Sequence, residues 1–297
     1  MKNKVLLSLC FLIGCIQIAQ AQTFPLKVPN DSISLRALQN SKLQRELEKA
    51  LNENPEWKTL IAQKRMAVGI VDLSNLNSVR YAGVNSNEMM YAASLPKIAV
   101  LLAAMDAIEK GELEETEAVK SDMKLMISRS NNQATTRMID LVGFKKIEEV
   151  LTCKEYAFYD KKYNGGLWVG KRYAKGGDTN REPLKNLSHA ATVSQVCRFY
   201  YLLAQGKLVS EARSKQMLDI MENPALHHKF VNTLDAVAPK ARLFRKSGSW
   251  STFHSDSILV WGPKRRYILV ALVNDDNGEQ IIRKLVHSAE KALKITK

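Results

Sequence analysis

The sequence predicts an α+β fold, in which an antiparallel five-stranded sheet is covered by N- and C-terminal helices and interrupted by an inserted all-helical lobe. Strand patterns occur only near the two ends of the chain, at 66–84 and 241–274. Helical periodicity dominates the residues between them, and amphipathic helices at 33–54 and about 279–293 flank the strands. This segregation of strands from helices is typical of α+β packing and not of alternating βαβ units.

The first 21 residues have the layout of a secretory signal peptide. Two lysines precede an apolar stretch from Val5 to Ile18, and a small-x-small cleavage site follows at 19–21. The stretch is shorter than the about 20 residues that a membrane-spanning helix needs. We therefore expect 22–297 to be exported to the periplasm as one domain without a transmembrane segment. The segment LIGC also resembles a bacterial lipobox, which leaves open a lipoprotein anchored through Cys15.

The N-terminal elements follow from their hydrophobic patterns. Leucines at helical spacing predict the first helix, over 33–54. The segment MAVGIVDLS, at 66–74, alternates and then runs apolar, which predicts a strand. Residues 78–84 return as its hairpin partner after an Asn-Leu-Asn turn at 75–77.

The middle of the chain is predicted to be helical around one long loop, and the end to be strands and a helix. Glycine and polar residues dominate 153–188, and a loop of this length within a compact domain is usually functional. The α/β lobe would comprise about 30–90 and 240–297, and the helical lobe about 91–239. The predicted helices are 95–113, 115–127, 132–151, 190–205 and 210–222, and the predicted C-terminal strands are 241–250, 255–262 and 266–274.

The charge and cysteine content narrow the classes of partner. The formal net charge is +14, but the lysines and arginines are spread along the chain without interleaved aromatic residues, which argues against a nucleic-acid-binding protein. For an exported protein, a solvated basic surface, anionic cell-envelope polymers or a carboxylate substrate are the better expectations. Cys153 and Cys197 lie beyond the signal peptide, either as one disulfide or as two buried free thiols.

Ser94 and Lys97 open an apolar run in the segment YAASLPKIAV. A serine needs a proton acceptor to become a nucleophile, and a lysine whose pKa is lowered by burial can supply one. Spacing of i and i+3 places both side chains on one helix face, and Pro96 marks the first turn of that helix. The pattern S-x-x-K alone is weak, because Ser121 and Lys124 also match it.

Two further motifs follow in a fixed order. Ser130-Asn131-Asn132 is the only S-x-N in the chain, and Lys246-Ser247-Gly248 is the only K-[ST]-G. The S-x-x-K segment opens a buried helix pattern, the S-x-N segment joins two predicted helices, and the K-S-G segment lies on a predicted strand. These three motifs occur together in penicillin-binding proteins and class A β-lactamases.

On these motifs the chain resembles the penicillin-recognising serine hydrolases, in particular their class A β-lactamase branch, over nearly all of the mature sequence. The resemblance implies a β-lactamase/transpeptidase-like fold that needs no cofactor. It also implies that Ser94 is the acylated nucleophile and that Lys97 is its general base or proton relay. Ser130 would pass the proton to the leaving nitrogen of the substrate.

The resemblance also implies the substrate-binding residues. Asn132 would bind the amide side chain of the substrate, and Lys246 and Ser247 its carboxylate. Gly248 lets the strand approach the ligand closely. The backbone N–H groups of Ser94 and Ser249 would form an oxyanion hole, in which each donor typically contributes about 3 kcal/mol.

Deacylation is the second half of the implied reaction. Class A enzymes hold the hydrolytic water with a glutamate and an asparagine, and Glu182 and Asn186 have that spacing within the long loop. The implied function is therefore β-lactam hydrolysis, as in antibiotic resistance. Two alternatives remain open: a D-alanyl-D-alanine carboxypeptidase or penicillin-binding protein that acts on peptidoglycan peptides, and a β-lactam-binding protein without turnover. In these Glu182 would not be positioned for catalysis.

The sequence departs from the family pattern in several places. Asn131 replaces the usual acidic residue, and only 36 positions separate Ser94 from Ser130. No arginine follows the K-S-G-S segment where class A enzymes often keep a carboxylate-binding cation; His254 and Ser255 lie near that place. His189 is expected to cap a helix. His227 and His228 lack a third ligand, so no metal site is predicted, and Trp168 and Trp250 are expected to flank the site or to pack in the core.

Overall fold

The computed structural model describes residues 24–29 and 34–295. The predicted signal peptide and the lipobox cysteine Cys15 lie outside the described residues. Across the described ranges, the protein has no helix that combines the length and apolar character of a membrane span.

A five-stranded antiparallel sheet forms the centre of the α/β lobe, in the order β2-β1-β10-β9-β8. Met66 of β1 pairs with Val273 of β10, so the first and last strands of the sequence meet in the middle of the sheet. This confirms the predicted fold class. The strands are β1 (Met66–Asp72), β2 (Arg80–Val84), β3 (Met90–Tyr91), β4 (Tyr159–Asp160), β5 (Gly165–Gly166), β6 (Trp168–Val169), β7 (His189–Ala191), β8 (Arg242–Trp250), β9 (Phe253–Trp261) and β10 (Arg266–Asn274).

Helices cover both faces of this sheet. On one face, α1 and α10 pack on each other; Leu43, Leu47 and Leu51 of α1 follow helical spacing and are fully buried. On the other face lie α7 and the inserted helices. The helices are α1 (Ser41–Asn52), α2 (Pro55–Ala62), α3 (Lys97–Glu109), α4 (Glu117–Ser128), α5 (Asn132–Val142), α6 (Phe144–Thr152), α7 (Val193–Ala204), α8 (Glu211–Met221), α9 (Phe230–Val237) and α10 (Gly278–Leu293).

Several elements differ from the sequence prediction. The helix predicted over 132–151 is two helices, because Gly143 between them adopts a φ of 81°. The long loop at 153–188 contains the short strands β4, β5 and β6. The helix predicted from residue 190 begins at Val193 and is capped by Thr192, so His189 lies on β7 and is not the predicted cap. Cys153 and Cys197 are free thiols.

Candidate active site

Ser94 lies in a tight turn between β3 and α3, on the wall of a cleft of about 700 Å³. The preceding residue, Ala93, has a φ of 48°, a left-handed conformation that is costly for a residue other than glycine. Such strain persists where surrounding structure enforces it, and it is common at functional sites. Helix α3 begins at Lys97, one position after Pro96.

Lys97 is fully buried, and burial lowers the pKa of its amine to about 7. Its Nζ donates hydrogen bonds to the backbone oxygen of Ser130 at 2.7 Å and to Oδ1 of Asn132 at 2.8 Å. A neutral amine has two N–H donors and one lone pair. Because these two acceptors use both donors, the lone pair remains free to accept from a nearby hydroxyl, and the Ser130 hydroxyl lies 3.5 Å away. No hydrogen bond joins Ser94 Oγ to Lys97 Nζ among the described residues, and such catalytic contacts commonly tighten only when substrate binds.

Ser130 lies between two lysines. Its hydroxyl is 2.9 Å from Nζ of Lys246 and 3.5 Å from Nζ of Lys97. The pKa of the Lys246 amine lies well below its ordinary value, mainly because the amine is buried and secondly because the charge of Lys97 repels it. Two amino groups within reach of one hydroxyl stabilise negative charge on its oxygen and provide protons for transfer through it. Asn131 is exposed and caps α5, because its side chain accepts the N–H of Ala134.

The third motif lies on β8, against the turn that holds Ser94. A Cβ atom on Gly248 would stand 2.5 Å from the backbone oxygen of Ala92 and 2.5 Å from the backbone nitrogen of Ser94. Only glycine permits this approach, which places the N–H groups of Ser94 and Ser249 on neighbouring segments. Ser94, Asn132 and Ser249 line the cleft, whereas Lys246 and Ser247 are buried at its edge.

Gly248→Ala is expected to lower the rate of acylation of Ser94 by about a hundredfold, because the strand must move away from the nucleophile turn and displacements near 1 Å have effects of this size. Acylation is measured by intact mass with a penicillin. Gly176→Ala is the matched control, because Gly176 also lines the cleft and a Cβ there has open space. Equal losses in both variants would contradict the close-approach argument.

A buried lysine from a distant position in the sequence supports the K-S-G-S segment from behind. Lys229 precedes α9, is fully buried and has a φ of 55°. Its Nζ donates to the backbone oxygen of Gly248 at 2.5 Å and to Oγ of Ser249 at 2.7 Å. His254, in contrast, packs against Gly278, and Ser255 donates to the backbone oxygen of Ala92.

Glu182 does not reach the cleft. Its carboxylate is buried and accepts the hydroxyl of Tyr159 at 2.9 Å. It also accepts three backbone N–H groups, at 2.7 to 3.0 Å, from Leu184, Lys185 and Leu187. Burial alone would raise the pKa of the carboxyl group, but these donors outweigh it and lower the pKa.

The predicted deacylation pair and the acylation residues make no direct hydrogen bonds to each other within the described residues. Within the described part of the chain, Glu182 makes neither a hydrogen bond nor an ion pair with Ser94 or Lys97. Asn186 is exposed; its backbone N–H donates to the backbone oxygen of Glu182 at 3.1 Å, and its backbone oxygen accepts a hydrogen bond from Arg181 at 3.0 Å. Neither Glu182 nor Asn186 lines the cleft.

The glycine-rich insertion supplies the opposite wall of the cleft instead. Tyr173 donates its hydroxyl to the backbone oxygen of Ala93 at 3.0 Å, and its ring centre lies 4.5 Å from Nζ of Lys97. Ser188 and His189 line the same wall, and Trp250, 67% exposed, stands at the opening. Trp168 is buried and donates its indole N–H to the backbone oxygen of Asn180. Three basic residues of the insertion, and no acidic residue, line the cleft: Lys171, Arg172 and Lys175.

The model of the Beta-lactamase enzyme family matches residues 54–124 and 119–293 of this chain. The chain therefore belongs to the β-lactamase enzyme family, as the motifs predicted. A comparison with the sequences of curated proteins gives no match.

The chain also shares its fold with solved structures. A β-lactamase from Sphaerobacter thermophilus superposes with a TM-score of 0.66 at 18% identity, covering 85% of this chain and 98% of that chain. PBP-A superposes with a TM-score of 0.62 at 19% identity, covering 86% and 96%. A β-lactamase from Chitinophaga pinensis gives a TM-score of 0.62 at 16% identity, covering 82% and 97%. At these identities the similarity establishes the fold and leaves the substrate open.

Proposed function

We propose that this protein is a serine hydrolase that is acylated on Ser94 by β-lactams, most directly penicillins, and that hydrolyses the resulting acyl-enzyme. One observation carries the proposal: the Ser130 hydroxyl is held between Lys97 and Lys246, directly beside the turn of Ser94. This arrangement connects a proton acceptor, a proton shuttle and a carboxylate-binding cation in one site. It suits an acyl donor whose leaving nitrogen is close to a carboxylate.

The acylation step follows from these contacts. The Lys97 amine takes the proton of Ser94, and the serine oxygen attacks the carbonyl carbon of the substrate ring. The N–H groups of Ser94 and Ser249 stabilise the oxyanion. Ser130 then gives its proton to the leaving nitrogen as the C–N bond breaks, and recovers a proton from Lys97.

The electrostatics of the site favour an anionic substrate. The buried amines of Lys97 and Lys246 contact Ser130, that of Lys229 contacts Ser249 of the cleft, and the buried carboxylate of Asp256 is already paired with Arg245 at 2.7 Å. A substrate carboxylate would therefore enter a region of positive potential with little competition from the protein's own acids.

The placement of Glu182 favours a second candidate. Because this carboxylate is held by its own loop, the established class A route for deacylation has no base in position. The same acylation residues would then serve a D-alanyl-D-alanine carboxypeptidase or penicillin-binding protein, on which a β-lactam adduct persists. A variant of PBP-A, a structural neighbour at 18% identity and a TM-score of 0.61, is described as an acyl-enzyme complex with penicillin G.

The N-terminal sequence supports export of the mature chain to the periplasm, either as a free protein or anchored through Cys15. The mass of the N-terminal peptide of the mature protein separates these two forms.

Intact mass spectrometry with penicillin G, combined with an assay of ring opening, tests the proposed function. We expect an adduct of one penicillin that disappears as product accumulates, and no adduct in the Ser94→Ala variant. An adduct that persists without product, together with release of D-alanine from a peptide ending in D-Ala-D-Ala, would establish the second candidate. A persistent adduct without peptidase activity would indicate a binding protein. The absence of any adduct would overturn the assignment of Ser94.

A further inference from the structure

Ser188 and His189 are hydrogen bonded to each other, and both line the same cleft as Ser94. Strand β7, which carries His189, pairs with β3, and the backbone oxygen of His189 accepts the N–H of Ala92 at 3.0 Å. Since Ala92 is two positions before Ser94, the pair is fixed to the segment that carries the nucleophile. Ser188 itself is tied to the insertion, because its backbone oxygen accepts the N–H of Gly170 at 2.7 Å.

The hydrogen bonds of His189 determine which ring nitrogen carries the proton. Nε2 lies 2.9 Å from the backbone oxygen of Lys171, which can only accept, so Nε2 carries the hydrogen. The ring is buried between Tyr91 and Tyr173, with centres 5.9 Å and 4.2 Å away. Burial, together with repulsion from Lys97 and other cations, lowers the pKa of the imidazole to about 4 and keeps it neutral. Nδ1 is therefore an unprotonated acceptor.

This tautomer fixes the direction of the hydrogen bond between Ser188 and His189. Ser188 Oγ lies 3.0 Å from Nδ1 of His189, and because Nδ1 has no hydrogen, the serine hydroxyl must donate. A hydroxyl oxygen can accept up to two further hydrogen bonds, and within the described ranges no other side-chain contact of Ser188 uses them. Ser188 thus lines the cleft with a hydroxyl that can accept further hydrogen bonds and that donates to a basic nitrogen.

We propose that Ser188 and His189 form a proton relay that activates the water hydrolysing the Ser94 acyl-enzyme, the task for which Glu182 is not placed. The relay rests on the proposed function, because it needs an acyl group on Ser94.

In the proposed deacylation step, one water of the cleft hydrolyses the ester between the acyl group and Ser94. A cleft water gives one proton to Ser188 Oγ while the Ser188 proton passes to Nδ1 of His189. The water oxygen attacks the acyl carbon, and the C–O bond to Ser94 Oγ breaks. The Lys97 amine takes the proton of the imidazolium through the cleft water and gives it to Ser94 Oγ as the bond to the acyl carbon breaks. One water is consumed, one carboxylic acid is released, and the hydroxyl of Ser94 is restored.

The base strength fits this task. A free glutamate has a pKa of about 4.3, so an imidazole with a pKa of about 4 is comparable to the carboxylate that class A enzymes use. The charged groups that lower it are Lys97, Lys171 and Arg181, and the carboxylate of a bound substrate opposes their effect. The neutral form required of a base is therefore the main form at neutral pH.

Two variants separate the relay from a structural role. Ser188→Ala removes the hydroxyl that contacts the water. His189→Gln keeps an N–H donor for the oxygen of Lys171 and removes the basic Nδ1. For each variant, the rate of adduct formation with penicillin G and the rate of adduct loss after removal of free penicillin are followed by intact mass, and a thermal melt checks folding.

We expect adduct loss to slow by about a hundredfold in both variants, within the usual range for general base catalysis, while adduct formation changes less than threefold. Ser188→Thr retains the hydroxyl and should restore most of the rate. Only a chemical role in deacylation produces this split with rescue, since a damaged cleft would slow both steps.

The failures are distinguishable. If no adduct forms on the wild type, the proposed function fails and the relay fails with it. If the wild-type adduct clears and both variants clear it at the wild-type rate, the relay is wrong and the hydrolase assignment stands. If the wild-type adduct does not clear over hours, acylation at Ser94 stands and the relay is overturned.

Discussion

Replacing Lys97 with methionine is expected to slow the acylation of Ser94 by about a thousandfold, because the serine then lacks a proton acceptor. Methionine approximates the length of the lysine stem and fills the buried space. Since burial of an amine opposes folding, the variant should melt no lower than the wild type at pH 7. The rate of adduct formation with penicillin G by intact mass gives the test.

The pH dependence of the wild type provides a second measurement of the same role. Lys97 accepts a proton only as the free amine, whose pKa is about 7. The acylation rate should therefore rise about tenfold per pH unit below that value and level off above it. A rate that is flat from pH 5 to 9 would contradict the assignment of Lys97 as the base.

The chain offers a matched control in its second S-x-x-K segment. Ser121 and Lys124 lie on α4, where Lys124 donates to backbone oxygens of Asp219 and Ile220 near the surface. Lys124→Met should leave acylation unchanged. An effect of Lys124→Met equal to that of Lys97→Met would mean that the loss reflects general damage and not a missing base.

The parts of this molecule that the sequence predicted well are those with a local physical cause. Alternating and apolar runs predicted β1 and β10, and their pairing confirms the fold class. The three motifs predicted that Lys97, Ser130 and Asn132 belong to one site, and Lys97 contacts both of the others. Gly248 was expected to let the strand approach the ligand, and the structure shows that it lets β8 approach the backbone of Ala92 and Ser94.

The parts that the sequence left open depend on distant contacts. Glu182 is held by three N–H groups of its own turn and by the Tyr159 hydroxyl, 23 positions earlier, and the position of that hydroxyl is set by tertiary packing. His189 was predicted as a helix cap because a helix pattern follows it, but pairing with β3 draws it into a strand and into the cleft. Lys229 reaches Ser249 only through tertiary packing, and no local pattern marks it.

Glu182→Gln is expected to destabilise the protein by about 3 kcal/mol while leaving the rates of adduct formation and loss within about threefold of the wild type. The carboxylate accepts four hydrogen bonds, and an amide nitrogen in one oxygen position would face N–H groups that also donate. Urea unfolding at pH 7 measures the loss. Glu155→Gln, at an exposed position in the same part of the chain, is the control and should have little effect.

The pH dependence of stability identifies the same carboxylate. Because its pKa is lowered in the folded state, its contribution is present above the ordinary glutamate pKa of about 4.3 and is lost as the pH falls through the folded value. The stability difference between wild type and Glu182→Gln should therefore be constant from pH 6 to 8 and shrink in acid. In a Tyr159→Phe background, the effect of Glu182→Gln should be smaller, since one of the four donors is already absent. A hundredfold slower adduct loss in Glu182→Gln, at unchanged stability, would instead restore this glutamate as the base for deacylation.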